Sequence, residues 1–415
     1  MDVLDRVLGC LLGGAIGDAL GAPIEFESLQ DIRRTHGAAG ISGYLHGRQG
    51  ATGLITDDTQ MTLFTVEGLL TARAATSAAH RNEATPPTPA DARSAHPDAA
   101  PSDSSPADAD PADRGPEVRG PAVRGPGVMG LADGGTPDKG TADGGLVDAR
   151  TVEAVRQAYL RWLDTQDYRT PPPASLPHHT GSLREEGWLY SRRAPGNACL
   201  SGLHRPFPGP ARWGEPGPVN RDSKGCGTVM RSAPFGLIAP PEGGERAVRE
   251  AFELSAACAQ ITHGHPTGYL AAGAFAAIIA YLMAGEALEP AVRRTLGLLA
   301  GYPKHEETSA ALRAALGLAA AGAPGPEAVE SLGGAWVAEE ALAIGVYCAL
   351  AEPDVERALL LSVNHSGDSD STGSVCGNIV GALRGRAALP AAWLRPLEGR
   401  ETIERLATEL ARVQG

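Results

Sequence analysis

The run LDRVLGCLLGGAIGDAL, from Leu4 to Leu20, decides how the rest of the chain is read. Its apolar residues recur at helical spacing, and Gly and Ala occupy many of the remaining positions. Glycine lowers helix propensity by up to about 1 kcal/mol per residue, so a helix this rich in Gly persists only where close packing against another helix offsets the loss. Ala22-Pro23 ends the run, and Ile24-Glu25-Phe26-Glu27 follows it. A second small-residue stretch, GSVCGNIVGALRG from Gly373 to Gly385, opens behind Asp370-Ser371-Thr372. A third helical pattern, TDDTQMTLFTVEGLLTARAAT from Thr56 to Thr76, also begins on acids.

Outward from these, helical periodicity predicts elements beginning at Thr151 and over Ser223–Phe235, Ala247–Ile261, Thr267–Met283, Glu289–Ala300, Glu306–Ala321, Ala335–Ala349, Val355–Asn364, Ser371–Arg384 and Thr402–Val413. Clear β-alternation is nearly absent, so the expected fold is all-α, one compact multi-helix domain. Residues 78–148 break the pattern. RGP recurs three times there and ADGG twice, and large apolar residues are almost missing. Such a stretch buries too little to order itself, which predicts a disordered, low-complexity insertion within a single domain made of 1–77 and 149–415. Pro171 to Asn220 is also rich in Gly and Pro, but carries Trp188, Tyr190, Leu200, Phe207 and Trp213. Two readings stand for it: an ordered loop lining a cleft, or a surface connection with a few anchors.

Of the 415 residues, 42% are hydrophobic and the formal net charge is −13, with no basic run, which disfavours a broad nucleic-acid-binding surface. The six cysteines form no C-x-x-C pair, as expected of reduced thiols rather than a disulfide framework. The first residues lack a positive leader, and the apolar run Ala271 to Gly285 is short for a bilayer, so a cytoplasmic monomer without membrane contact is expected.

Thr56-Asp57-Asp58 and Asp368-x-Asp370-Ser371 each offer two carboxylates and a hydroxyl. Oxygen-only sets suit Mg²⁺, Mn²⁺ or Ca²⁺, and neither set fills an octahedral shell alone. The competing reading is two unrelated helix N-caps. Glu25 is placed to orient or deprotonate a water if the clusters meet beside it, or else is a solvated surface acid. Asp18 is either a supporting acceptor or a local cap. Gly225-Cys226-Gly227-Thr228-Val229-Met230-Arg231 can expose N–H groups to a phosphate, although it matches no Walker or dinucleotide pattern. Arg231 either clamps an anion or pairs with an acid. Cys226 lacks a demonstrable His partner for thiol catalysis. His263 and His265 lie in a turn, and His365 precedes the second acidic set.

GGAIGDALGAPIEF, TDDTQM, KGCGTVMRSAPFGL, THGHPTGYLAAGAFA and SGDSDSTGSVCGNIVGALRG, in this order, resemble the successive signatures of the ADP-ribosylglycohydrolase family. The resemblance runs from Val3 to about Arg384 and carries expectations of its own. It implies an all-α fold around a central metal cleft holding two divalent cations, Mg²⁺ or Mn²⁺. By motif, the metal ligands are Thr56, Asp57, Asp58, Asp368, Asp370 and Ser371, and the catalytic group is Glu25 with Asp57 and Asp58. Gly225, Gly227 and Met230 fall in the ADP-ribose loop, His263 at the ligand side, and Ser223 and Cys226 near the diphosphate-ribose. The implied reaction is hydrolysis of the N- or O-glycosidic bond between ADP-ribose and a modified target. ADP-ribosylarginine on protein is the first expectation. Alternatives are ADP-ribosylserine, ADP-ribosylated nucleic acid, a small ADP-ribosyl compound, or ADP-ribose binding without catalysis.

Overall fold

The computed structural model describes residues 1–46, 51–83 and 147–413. Among these there are sixteen α-helices and no strand: α1 Val3–Gly21, α2 Leu29–His36, α3 Asp57–Glu83, α4 Ala149–Asp167, α5 Asn197–Leu203, α6 Ala233–Leu237, α7 Gly244–Ala259, α8 Pro266–Met283, α9 Leu288–Leu299, α10 Glu306–Ala321, α11 Pro326–Glu330, α12 Ala338–Ala351, α13 Val355–Val363, α14 Ser369–Arg384, α15 Ala391–Leu394 and α16 Arg400–Arg412. The all-α expectation holds. Met1–Ala79 with Gly145–Gly415 make one compact unit; of the second, His80–Gly144, only the end of α3 is described. Most of the 78–148 insertion therefore lies outside the described residues. Its expected edges shift, because α3 runs on to Glu83 and Asp148 caps α4, accepting from Arg150 N at 3.1 Å and Thr151 N at 3.3 Å.

The helix expected over Ser223–Phe235 is not formed. A 3₁₀ turn covers Cys226–Thr228, and a short helix follows at Ala233–Leu237. The reason is a tertiary contact: extended Gly225 pairs with Val337, and Cys226 N donates to Trp336 O at 3.2 Å. Helix α2 was not foreseen, although Ser28 caps it by accepting from Asp31 N at 3.1 Å.

Every residue of α8 is buried, which explains why its sequence shows no polar face. Helices α6, α7, α9, α12 and α14 pack around it. By length and composition, Val3–Ile24 and Pro266–Met283 are long and apolar enough to cross a membrane; here both are packed largely or wholly inside the protein.

Antiparallel contact between α1 and α14 positions the site. Gly9, Gly13 and Gly17 lie against Gly381, Gly377 and Gly373, each glycine facing the backbone carbonyl of its counterpart. A Cβ at any of the six would fall well inside contact distance of that carbonyl oxygen. Three facing pairs at four-residue spacing keep the two backbones in contact along one seam, with the end of α1 beside the beginning of α14. Glu25, just past α1, thereby meets Asp368 and Asp370 at the start of α14: their carboxylate oxygens lie within 4.8 Å of one another.

Candidate active site

Helix α1 also fixes the other acidic set. Asp18, buried within it, accepts from Thr56 N at 3.0 Å and Thr59 N at 3.1 Å, and from the Thr59 hydroxyl. It is thus a supporting acceptor that pins the start of α3. Thr56 Oγ1 accepts from Asp58 N at 3.3 Å, and Asp57 Oδ2 accepts from Gly196 N at 3.2 Å. Gln60, one turn on, donates from Nε2 to Ser191 O at 3.0 Å and receives Trp162 Nε1 at 3.2 Å, which ties the Pro171–Asn220 region to α3.

These elements enclose a cleft of about 500 Å³. Glu25, Asp57, Asp58, Asp368, Asp370 and Ser371 line it, with Gly225, Cys226, Gly227, Met230 and His263 also in its wall. Ala194 to Ala198 complete the wall, so the Pro171–Asn220 region is an ordered cleft-lining loop. Two expected residues sit just outside: Ser223 lines an adjoining cavity, and Thr56 an adjoining groove. His365 does not line the cleft; it is buried, with Nε2 2.9 Å from Thr372 Oγ1 and 3.0 Å from Ser362 O. His265 caps α8 through Nδ1, which accepts from Thr267 N at 3.2 Å.

The electrostatics call for cations. Burial first, then Asp368 and Asp57, push the Glu25 carboxyl up to about 8. Burial, then Asp18 and Asp368, push Asp57 up to about 8; burial, then Asp57, Asp18 and Asp368, drive Asp58 well above the carboxylate range, and burial, then Asp58, Asp368 and Glu25, do the same to Asp370. Asp58 Oδ2 is buried with no hydrogen-bond partner. An orphaned carboxylate oxygen among mutually repelling acids fits hard divalent cations, whose charge removes the repulsion and whose shells are built from oxygen.

A pH dependence follows. Asp18, held up to about 6, Glu25 and Asp57 have folded-state values above the ordinary carboxyl range near 4. For raised groups the stabilising contribution is complete below the unfolded value and is lost as pH rises through the folded one. Burial and Arg231 hold His263 down to about 3, and its opposing contribution is complete above about pH 6.5. The metal-free protein should therefore lose thermal stability from about pH 7 to about 8.5. Saturating Mg²⁺ or Mn²⁺ should restore more at the upper end and release protons on binding. A flat or rising melting temperature in the metal-free protein across that window would contradict this.

His263 and the glycine loop share the lining of the cleft with these acids. Thr262 Oγ1 accepts from Arg231 Nη2 at 2.6 Å and lies 2.8 Å from His263 Nδ1. The other nitrogen of this neutral ring is Nε2. That nitrogen faces Gly225 and Gly227, where a Cβ would sit 3.1 and 3.3 Å from it. Arg231 itself neither clamps an anion nor pairs with an acid. It is buried, with its guanidinium 4.4 Å from the Tyr159 ring centroid. Burial, then Asp368 and Asp58, raise the Cys226 thiol well above its ordinary value, which removes the thiolate a nucleophile requires.

Asp164, His178 and His179 form a second cluster that the sequence did not reveal. His179 Nδ1 accepts from Ser175 N at 3.0 Å and Leu176 N at 3.2 Å. Its Nε2 and that of His178 both lie 3.2 Å from Asp164 Oδ2.

A family model described as ADP-ribosylglycohydrolase matches residues 1–124 and 129–415. The human ADP-ribosylhydrolase ARH3 is 35% identical over 98 residues, 21% of this chain and 27% of its own length. A protein of Archaeoglobus fulgidus is 40% identical over 83 residues, 20% of this chain and 27% of its own length. The matched stretches thus span about a quarter of these curated relatives. A solved structure titled ADP-ribosylglycohydrolase-related protein complex superposes with a TM-score of 0.56 at 21% identity, covering 100% of this chain and 99% of that one, a likeness of fold.

Proposed function

The chain belongs to the ADP-ribosylglycohydrolase family, and from that premise we propose that it hydrolyses the glycosidic bond joining ADP-ribose to a modified target, with arginine on protein as the preferred linkage. The observation that carries this is the meeting of both acidic sets and Glu25 in one cleft that Gly225, Gly227 and His263 also line. A purely ADP-ribose-binding protein has no need of five buried carboxylates.

Asp57, Asp58, Asp368 and Asp370, with the hydroxyls of Thr56 and Ser371, would hold two divalent cations, Mg²⁺ or Mn²⁺. When bound, these supply positive charge for ribose hydroxyls and for a water. The residues of the chain do the rest. His263 and the backbone N–H groups of the glycine loop receive the diphosphate. Glu25 orients the water and takes its proton as the water oxygen bonds to the anomeric carbon. The bond to the target breaks with its electron pair going to the leaving nitrogen or oxygen, which takes up the proton that Glu25 received from the water. Asp18 and Gly196 N hold Thr56–Asp58 in place throughout.

The test is release of free ADP-ribose from arginine-linked and serine-linked peptides. The arginine linkage should turn over faster, a chelator should abolish release, and Mg²⁺ or Mn²⁺ should restore it. No release from any linkage would refute the enzyme reading, and a clear serine preference would refute the arginine assignment. The six unpaired cysteines support a cytoplasmic setting for this activity.

A further inference from the structure

Among the described residues, Phe26 and Trp336 are the exposed phenylalanine and the exposed tryptophan, 75% and 46% accessible, while every other Phe and Trp is buried or packed against the core. They come from opposite ends of the chain, yet stack on each other with ring centroids 5.5 Å apart and planes 19° apart. Both line the cleft. The Trp336 loop is built to hold this position. Ala335 has φ +62° and Gly333 φ +120°, a strained path for the alanine. The Glu340 carboxylate accepts from Gly334 N at 3.0 Å and Ala335 N at 3.1 Å. Gly334 O receives Asp368 N at 3.0 Å, and Trp336 O receives Cys226 N. A strained, over-determined loop that displays an apolar ring to solvent points to a ligand contact.

The cleft opens in two directions. Past Asn197 and Ala198 it adjoins a cavity of about 820 Å³ carrying His204, Arg205 and Arg221. Past Glu25, Phe26 and Ala194 it adjoins a groove of about 330 Å³ lined by Leu45, Leu54 and Arg193. Arg193 is paired with Glu398 there, so among the described residues this groove offers no free cation. An anionic diphosphate with its nucleoside suits the first direction. What is attached to the anomeric carbon beside Glu25 must leave by the second, across Phe26.

We propose that the Phe26–Trp336 pair is the platform for the target side of the scissile bond, and that it takes the guanidinium of a modified arginine. This rests on the hydrolase reading above. A guanidinium is planar, cationic and weakly hydrated, and stacks on aromatic faces. A serine oxygen offers neither plane nor charge. A nucleobase is planar, but its strand is a polyanion approaching a chain of net charge −13.

The experiment compares the full chain with Phe26→Ala, Trp336→Ala and Trp336→Phe, loaded with Mg²⁺ or Mn²⁺. Steady-state kinetics are measured on arginine-linked and serine-linked peptides and on an ADP-ribosylated DNA oligonucleotide. Calorimetry measures the affinity for free ADP-ribose, which lacks the target. Each alanine variant should lower kcat/KM on the arginine peptide about tenfold, mainly through KM, with ADP-ribose affinity within about twofold of wild type. Trp336→Phe should recover most of the loss. An equal fall in ADP-ribose affinity, an unchanged arginine reaction, or a loss greatest on the oligonucleotide would overturn the assignment. A wild-type protein that releases ADP-ribose from serine but not arginine would overturn the guanidinium platform alone. One that releases none from any substrate would overturn the hydrolase reading itself.

Discussion

Asp57→Asn and Asp370→Asn should each slow ADP-ribose release by roughly 100-fold or more while the fold stays intact. An amide preserves the shape of the carboxylate and can still accept the backbone bonds these groups make, from Gly196 N to Asp57 and from Ser371 N to Asp370 at 2.9 Å. It cannot replace the charge that a hard cation requires. The two variants should also share a second signature. Each replaces a buried carboxyl that burial first, and neighbouring acids second, hold well above the ordinary range; the amide has no ionised unfolded form to favour unfolding near pH 8, so the metal-free variants should melt no lower than metal-free wild type there. A helix cap predicts the reverse, a loss of stability with activity spared. Melting curves without metal and initial rates with metal, taken on the same preparations, separate the two.

Gly13→Ala and Gly377→Ala should each cost about 3 kcal/mol or more, enough to leave little soluble protein. The added methyl meets the carbonyl of the facing helix, a backbone atom that no rotamer change can move away. Relief requires α1 and α14 to separate, which would also draw Glu25 from Asp368 and Asp370. Gly297, inside α9, has no atom of a neighbour within 4 Å of where a Cβ would stand, and Gly297→Ala should be neutral or stabilising by up to about 1 kcal/mol. The same substitution in three helices thus differs in sign according to its neighbour. Thermal or denaturant unfolding measures it, and equal small effects at all three positions would contradict the close-packed seam.

What the sequence disclosed and what it withheld divide along the range of the interactions. Local periodicity placed α10 at its observed bounds and α8 within a residue, because a long run of helix formers needs no distant partner to be recognised. The same periodicity misread Ser223–Phe235, where a pairing with Val337 more than a hundred residues away holds Gly225 extended. The glycines of α1 and α14 showed that each helix must approach something closely. Nothing local showed that they approach each other, or in which register. The acidic sets were legible as candidate ligands from donor chemistry, while their sharing of one cleft depends on that register. Phe26 and Trp336 escaped notice because a single aromatic residue in a turn has no pattern. The Gly333-Gly334 pair before Trp336 was the available signal of an unusual backbone. Arg231 suggested an ion pair by residue type; its actual partners, Thr262 and the Tyr159 ring, are set by tertiary packing.

The central claim is that two acidic sets separated by some three hundred residues hold cations jointly. Titration calorimetry of Mn²⁺ into wild type, Asp57→Asn and Asp370→Asn at one pH tests it most directly. Joint binding predicts two ions per chain in wild type, with affinity weakened by roughly tenfold or more in both variants. If Asp57→Asn weakened binding and Asp370→Asn left stoichiometry and affinity unchanged, the shared centre would be wrong and the second acidic set would serve only the N-terminus of α14.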